Sequence, residues 1–453
     1  MNELADNISA AIVSLGCAKN LVDSELMLGK LRERGIETVG DAAEADVVIV
    51  NTCAFIEEAR EEAINTILEL AELKKSGKCR LLVVAGCLAQ RYPDEIKAEL
   101  PEVDAIVGIN SIDHIADVIE NAFEKRGNGP ETDVSDNYDA SYMNGPRVIS
   151  TPAGSAYIKI AEGCDNRCSF CAIPLIRGRM RSRKPEDIVK EARELASEGV
   201  REVNIIAQDI TKYGKDLFGK PRLAALLKEL EKVDGIRLIR LLYLYPDEID
   251  DELIETVAQS EKIAHYIDLP LQHISDPLLN KMNRRGNSAE IRTVISKLKA
   301  AMPDCIFRTT FIVGFPGETD EDFDELMKFV KEYPFDRIGV FKYSPEEGTT
   351  AANMPDQVPE DVKQERYDRL YTAAAEISAR QGNKRIGSTV RVITEGVSDD
   401  GIFYFGRSYA EAPDSDGKIF FTSEEPLEEG DEVGVKLLIA EEYDMTGRAV
   451  RYY

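Results

Sequence analysis

The sequence predicts an α/β protein in three parts: an N-terminal doubly wound parallel-sheet domain, a central partial α/β barrel and a C-terminal small antiparallel β-barrel. Apolar, β-branched runs alternate with amphipathic helical patterns through most of the chain, as parallel sheets covered on both faces require. The strand–helix units become larger after about residue 154. Beyond about residue 388 the pattern changes to short alternating strands with Gly and Asp turns, the mark of a small barrel.

The first part spans residues 8–126. "AAIVSLG" leads into a helical pattern over about 21–34, and "ADVVIVNT" into one over about 57–75. "RLLVVAG", a short helix, "VDAIVGI" and a helix near 112–125 complete it. Residues 127–153 are dense in Gly, Pro, Ser and Asp without periodicity, and are expected to be a linker over the surface.

Residues 154–386 supply six further strand candidates: "AYIKIAE", "EVNIIAQ", "IRLIRLLYL", "AHYIDLPL", "CIFRTTFIV" and "RIGVFKY". Between them lie punctuated helices: Pro185 opens one that Gly199 closes, and Thr319 with Asp322 caps another. Six such units are consistent with an open or partial barrel, whose functional groups gather at the C-terminal ends of the strands. A long helix over about 359–385 follows, and residues 387–453 form the terminal barrel.

Composition narrows the function. The net charge is −27, from 83 acidic and 56 basic side chains. That field repels phosphate backbones and suits a basic partner, although an acidic surface also serves solubility. Fifteen acidic and six basic residues from 388 onward give the tail a local balance of −9. The longest apolar runs are too short to span a bilayer, and "MNELADNISA" has neither a basic flank nor a signal core. These features predict a cytoplasmic protein without a membrane role, so its eight cysteines are not expected to form a disulfide framework.

"EGCDNRCSFCAIP" places Cys164, Cys168 and Cys171 on a loop after a strand. A structural zinc would take four protein ligands, and no fourth Cys or His lies nearby. Three thiolates suit a cubane iron–sulfur cluster with one iron left open for chemistry; zinc and coincidence are the alternatives. Cys17, Cys53 and Cys87 each end a strand of the first domain. Parallel strands bring their C-terminal ends to one edge. The three thiols therefore either converge on an ion or cluster, or are independent core cysteines. Cys79 and Cys305 lack this placement and are read as packing residues, and His114, His265 and His273 as structural histidines.

The spacing of Cys164, Cys168 and Cys171, with Phe170 before the last thiol, resembles the radical S-adenosylmethionine superfamily. The resemblance implies a 4Fe–4S cluster whose open iron binds the methionyl group of S-adenosylmethionine, and a 5′-deoxyadenosyl radical that abstracts hydrogen. It also implies cofactor contacts at Gln208 and Asp209 after the second barrel strand, and at Gly314 and Gly317 in "FIVGFPGE". Arg308 is a candidate for the methionine carboxylate.

A three-Cys domain, a radical domain and a small barrel in that order resemble the methylthiotransferases along essentially the whole chain. Membership implies a second 4Fe–4S cluster on Cys17, Cys53 and Cys87, and a TRAM tail that engages substrate. S-adenosylmethionine then serves as both methyl donor and radical source. One branch modifies an adenosine of tRNA; the other modifies an aspartate β-carbon of ribosomal protein S twelve. "SLGCAKNLVDSE" and "AQD" resemble the ribosomal-protein branch, and an acidic tail agrees with a basic protein partner. An iron–sulfur sensor or scaffold without enzymatic activity is the reading from a different class.

Two stretches leave the branch open. "IRGRMRSRK", with Arg177, Arg179, Arg181, Arg183 and Lys184, is read first as a solvated loop, with phosphate, acidic neighbours or a substrate carboxylate as other partners. "YFGRSYAEAPDSDGKIFF" offers aromatics for base stacking, or simply a barrel core.

Overall fold

Strand β1 (Ser9–Ser14) is followed by β2 (Glu37–Thr38), β3 (Val47–Thr52), β4 (Leu81–Gly86), β5 (Ala105–Val107) and β6 (Glu131–Asp133). They form one parallel sheet in the order β2-β1-β3-β4-β5-β6. These strands belong to a computed structural model that describes residues 8–125, 129–135 and 140–450. Every residue of β3 and β4 is buried, which is why both read as unbroken apolar runs rather than alternating ones. Ser14 pairs with Asn51, and Thr52 with Gly86, so the three strands end level. Cys17, Cys53 and Cys87 follow just beyond that edge.

The stretch expected to be a linker takes part in this fold. It contributes β6 in register with β5, and Tyr142 and Met143 are buried. Backbone pairing at a sheet edge needs no apolar side chains, so "ETD" carried no strand pattern.

The second sheet begins with β7 (Ser155–Lys159). After it come a short antiparallel pair, β8 (Ala161–Glu162) and β9 (Arg181–Ser182), and then β10 (Glu202–Ile206) and β11 (Leu238–Leu241). β12 (Ile263–Asp268), β13 (Ile306–Val313) and β14 (Arg337–Lys342) complete it. The order β7-β10-β11-β12-β13-β14 is parallel throughout and open, as six successive strand–helix units predict. Its helices carry the caps read from sequence. Pro185 opens Pro185–Ser197, and Thr319 and Asp322 form a reciprocal capping box on Asp320–Glu332. The long helix is Glu360–Arg385.

The tail closes into a barrel of β15 (Thr389–Val397), β16 (Tyr404–Arg407), β17 (Ile419–Thr422), β18 (Glu432–Ala440) and β19 (Met445–Val450) around Val392, Ile419, Phe421, Val435, Leu437 and Met445. The barrel is not wholly antiparallel, as β17 and β19 pair in parallel. Its segment Arg407–Asp416 is fastened to side chains of the second sheet. Arg240 Nη1 and Nη2 donate to the Tyr409 and Ser408 carbonyls, at 2.6 and 2.9 Å. The Tyr157 and Tyr266 hydroxyls donate to Asp414 and Asp416, each at 2.7 Å.

The chain groups into two compact units. One comprises Met1–Ser150, Ala161–Arg183 and Glu346–Ala352; the other comprises Thr151–Ile160, Lys184–Pro345 and Asn353–Tyr453. The loop bearing Cys164, Cys168 and Cys171 thus belongs to the same compact unit as Cys17, Cys53 and Cys87.

Candidate metal centres

Each N-terminal thiol is delivered by a strand end whose backbone is pinned. Asn20 Nδ2 donates to the carbonyls of Leu15 and Thr52, at 3.0 and 2.9 Å. Asn51 Nδ2 donates to the Asn20 carbonyl at 2.7 Å, and Thr52 Oγ1 to the Ala85 carbonyl at 2.6 Å. Gly16 and Gly86 immediately precede Cys17 and Cys87, with φ of +88° and +91°. A Cβ on Gly16 would lie 2.8 Å from Cys53 Cβ, and one on Gly86 2.2 Å from Asn51 Oδ1. Only glycine combines this left-handed turn with such close approach. The repeated "GC" after an apolar run was the available sequence signal for it.

Cys53 and Cys87 are buried and Cys17 is half-buried. Burial pushes the Cys87 thiol up to about 12 despite the neighbouring Arg177, and burial also raises Cys53. Burial acts the same way on Cys17, but Lys19, Arg177 and the backbone N–H groups of Asn20 and Lys19 outweigh it and place that thiol below its ordinary value.

The other three thiols are half-buried on the loop between β8 and the helix Ile173–Ile176. The Cys164 N–H donates to the Gly178 carbonyl at 3.1 Å, the Cys171 N–H to Cys168 at 3.1 Å, and the Asn166 N–H to Cys164 Sγ at 3.4 Å. Phe170 is half-buried on the same loop. Among the described residues, no group of three His, Cys, Asp or Glu is placed to hold a single metal ion. A structural zinc draws four donors to about 2.0–2.3 Å. Three thiols with no fourth donor are the ligand set that a 4Fe–4S core with one open iron takes.

Arg177 links the loop of Cys164, Cys168 and Cys171 to the strand ends of the first sheet. Its side chain is 1% exposed. Nη1 donates to Glu162 Oε2 at 2.7 Å, and Nη2 to Asn20 Oδ1 at 2.5 Å, Asp23 Oδ2 at 3.1 Å and Cys87 Sγ at 3.6 Å. Burial would lower its pKa, but Glu162, Cys87 and Asp23 hold it well above the ordinary value, so the guanidinium is a fixed cation. Tyr142 adds a hydroxyl donor to Glu162 Oε2 at 2.8 Å. The basic stretch is therefore not a solvated loop. Arg183 is buried too and donates to Asn144 Oδ1 at 2.8 Å, leaving Arg179 and Lys184 exposed.

A second brace comes from the segment Glu346–Ala352. Glu346 is paired with Arg60 and, at 3.2 Å, with Arg91. Arg91 also donates to the carbonyl of Ala54, next to Cys53, at 2.9 Å. The Ala351 N–H donates to the carbonyl of Ser169, inside the other loop, at 2.8 Å.

Family models described as "Uncharacterized protein family UPF0004", "Radical SAM superfamily" and "TRAM domain" match residues 9–108, 158–330 and 386–450. Relatives named ribosomal protein uS12 methylthiotransferase RimO match along nearly the full length. The protein from Acetivibrio thermocellus is 51% identical over 97% of this chain and 98% of its own. That from Pelotomaculum thermopropionicum is 52% identical over 98% and 99%. The chain belongs to the uS12 methylthiotransferase family. Among solved structures, the radical S-adenosylmethionine methyltransferase TsrM from Kitasatospora setae matches with a TM-score of 0.55 at 15% identity, over 76% of each chain. The cobalamin-dependent radical enzyme OxsB matches with 0.52 at 12%, over 83% of this chain and 56% of its own. At those identities the likeness is one of fold.

As a uS12 methylthiotransferase family member, the chain is a radical S-adenosylmethionine transferase. The structure places the remaining predicted residues of the second unit as follows. Gln208 and Asp209 lie just beyond the end of β10, as expected. Asp209 is buried and caps a short turn, accepting from the Thr211 N–H at 3.0 Å and from its hydroxyl. Gly314 and Gly317 follow β13, but lysines crowd them: an added Cβ would lie 2.2 Å from Lys363 Cγ and from Lys281 Nζ respectively. Arg308 is paired with Asp268 at 3.0 Å and lies 3.7 Å from Asp416.

Cys79 and Cys305 are buried packing residues, and burial raises both thiols. His114 and His265 pair with Asp133 and Asp304, at 3.0 and 2.8 Å, and buried His273 accepts the Ser275 N–H at 3.0 Å. Among the described residues, no helix is long and apolar enough to cross a membrane.

Proposed function

We propose that this chain installs a methylthio group on the β-carbon of an aspartate in ribosomal protein uS12. One observation carries the reading: two sets of three thiols, one at three strand ends and one on a single loop, lie in one compact unit with Arg177 between that loop and Cys87, in a chain about half identical to uS12 methylthiotransferases over nearly its whole length. Cys164, Cys168 and Cys171 hold the radical cluster, and Cys17, Cys53 and Cys87 hold a second 4Fe–4S cluster. When bound, the clusters and S-adenosylmethionine supply the radical that activates the C–H bond and the methylthio unit that replaces the hydrogen.

The chain's own residues bind, orient and shield. Cys53 and Cys87 are withdrawn from water, which protects an oxygen-sensitive core and strengthens charges inside the site. Asn20, Asn51 and Thr52 fix the strand ends. Within the second unit, Gln208, Asp209, Gly314, Gly317 and Arg308 are proposed as S-adenosylmethionine contacts, and Phe170 stands beside Cys171 in the first. Exposed acidic residues of the tail, Glu424, Glu425, Glu428 and Glu429 among them, suit a basic ribosomal protein and repel RNA phosphate. The site of action is the cytoplasm, where such a substrate is made.

Mass analysis of uS12 from cells with and without this chain tests the reading. A methylthio addition confined to cells with the chain is expected. Unmodified uS12 with methylthiolated tRNA adenosine would move the chain to the tRNA branch. Two intact clusters that never cleave S-adenosylmethionine would favour a sensor or scaffold.

A further inference from the structure

One buried guanidinium reaches from the loop of Cys164, Cys168 and Cys171 to Cys87 at a strand end. Arg177 follows the helix after Cys171, yet Nη2 touches Cys87 Sγ, Asn20 Oδ1 and Asp23 Oδ2, while Nη1 holds Glu162, two residues before Cys164. A structural ion pair would be complete with Glu162 and Asp23. The contact with a thiol sulfur, 90 residues away in sequence, goes beyond that need. Hydrogen bonds and positive charge at ligand sulfurs raise the reduction potential of an iron–sulfur cluster, because the reduced core carries one more negative charge.

We propose that Arg177 is a positioning residue that sets the reduction potential of the cluster on Cys17, Cys53 and Cys87 while clamping the radical-cluster loop to it through Glu162. Asp23 is its counterweight: a carboxylate 3.1 Å from Nη2 offsets part of the cation that the sulfur feels. Arg177→Gln removes that cation and makes the cluster harder to reduce. Asp23→Asn leaves the guanidinium in place with one fewer carboxylate and makes the cluster easier to reduce. Opposite directions from two changes in one contact set are the signature of charge tuning; loosened packing would move both the same way.

The inference rests on the proposed second cluster, and the experiment separates the two. The full chain is reconstituted with iron and sulfide without oxygen, its iron is counted, and both clusters are titrated by EPR. Cys17→Ala identifies the signal that belongs to the loop cluster. The wild type is expected to hold about eight irons, four per cluster. About four would overturn the second cluster and this inference with it. With both clusters present, the Arg177→Gln variant is expected to shift the N-terminal cluster's reduction equilibrium about tenfold towards the oxidised form, 59 mV for one electron. Asp23→Asn is expected to shift it towards the reduced form, with the loop cluster moving less in both. Unmoved potentials, or shifts of one sign, overturn the inference alone. If Arg177→Gln does not load its clusters, Asp23→Asn decides: an upward shift supports the proposal, and none or a downward one overturns it.

Discussion

Arg407 and Glu202, 205 residues apart in the chain, meet in a 2.7 Å ion pair whose side chains are 3% and 1% exposed. Arg240 shares the Glu202 carboxylate at 2.9 Å, and Glu395 engages the other side of Arg407. The terminal barrel is thus fastened to β10 and β11 by a dry, two-sided ionic network. Removing one member leaves its partners buried and uncompensated. Glu202→Gln is expected to destabilise the second unit by about 3 kcal/mol, read as a lowered midpoint in urea unfolding.

The same network sets an acid limit. Burial alone would raise the Glu202 carboxyl, but Arg407 and Arg240 outweigh it and hold it at about 2; Arg385 does the same for buried Glu411, also at about 2. Both lie below the ordinary value of 4.5. Their contribution is therefore complete above pH 4.5 and is lost as pH falls towards 2. Thermal midpoints should fall through that interval, and less steeply in Glu202→Gln. An equally steep fall in the variant would contradict the assignment.

Gly16→Ala should affect cofactor loading more than folding. The added methyl meets Cys53 Cβ at 2.8 Å in a backbone conformation that costs alanine about 1 kcal/mol. Iron content after reconstitution is expected to fall from about eight towards about four, with S-adenosylmethionine cleavage retained. Full loading would show that the close approach of Gly16 to Cys53 does not matter.

The acidic rim makes a separable prediction. Replacing Glu424, Glu425, Glu428 and Glu429 by lysine changes exposed groups only. The KM for uS12 is expected to rise several-fold, and more at low salt than at high, while S-adenosylmethionine cleavage without uS12 stays unchanged. A KM insensitive to both reversal and salt would remove the charge argument.

The tail also presents less negative charge to a partner than its residue count implies. Of the acidic side chains in the tail, Glu395, Glu411 and Asp416 are turned inward to Arg407, Arg385 and Tyr266, so the balance of −9 overstates what a partner meets. "YFGRSYAEAPDSDGKIFF" resolves in the same way: its Arg407–Asp416 portion is an attachment to the second sheet.

The succession of strands and helices along the chain, the helix caps and the placing of thiols at strand ends were legible because they depend on local periodicity and spacing. Parallel strands in register turned three widely separated Gly/Thr–Cys junctions into one edge. β6 was not legible, because an edge strand needs only backbone partners. The carboxylates facing Arg308, Asp268 and Asp416, were not legible for a related reason: both lie far from it in the chain.

By itself, the sequence determined the three-part architecture and the six cysteines in two groups of three, since a short stretch of chain carries each of those signals. Tertiary structure alone decided that the loop of Cys164, Cys168 and Cys171 shares a unit with the first sheet, and that Arg177 is a buried clamp rather than a solvated charge. Whether a charge is buried depends on its partners, and Asn20 stands 157 residues from Arg177, beyond the reach of any local pattern.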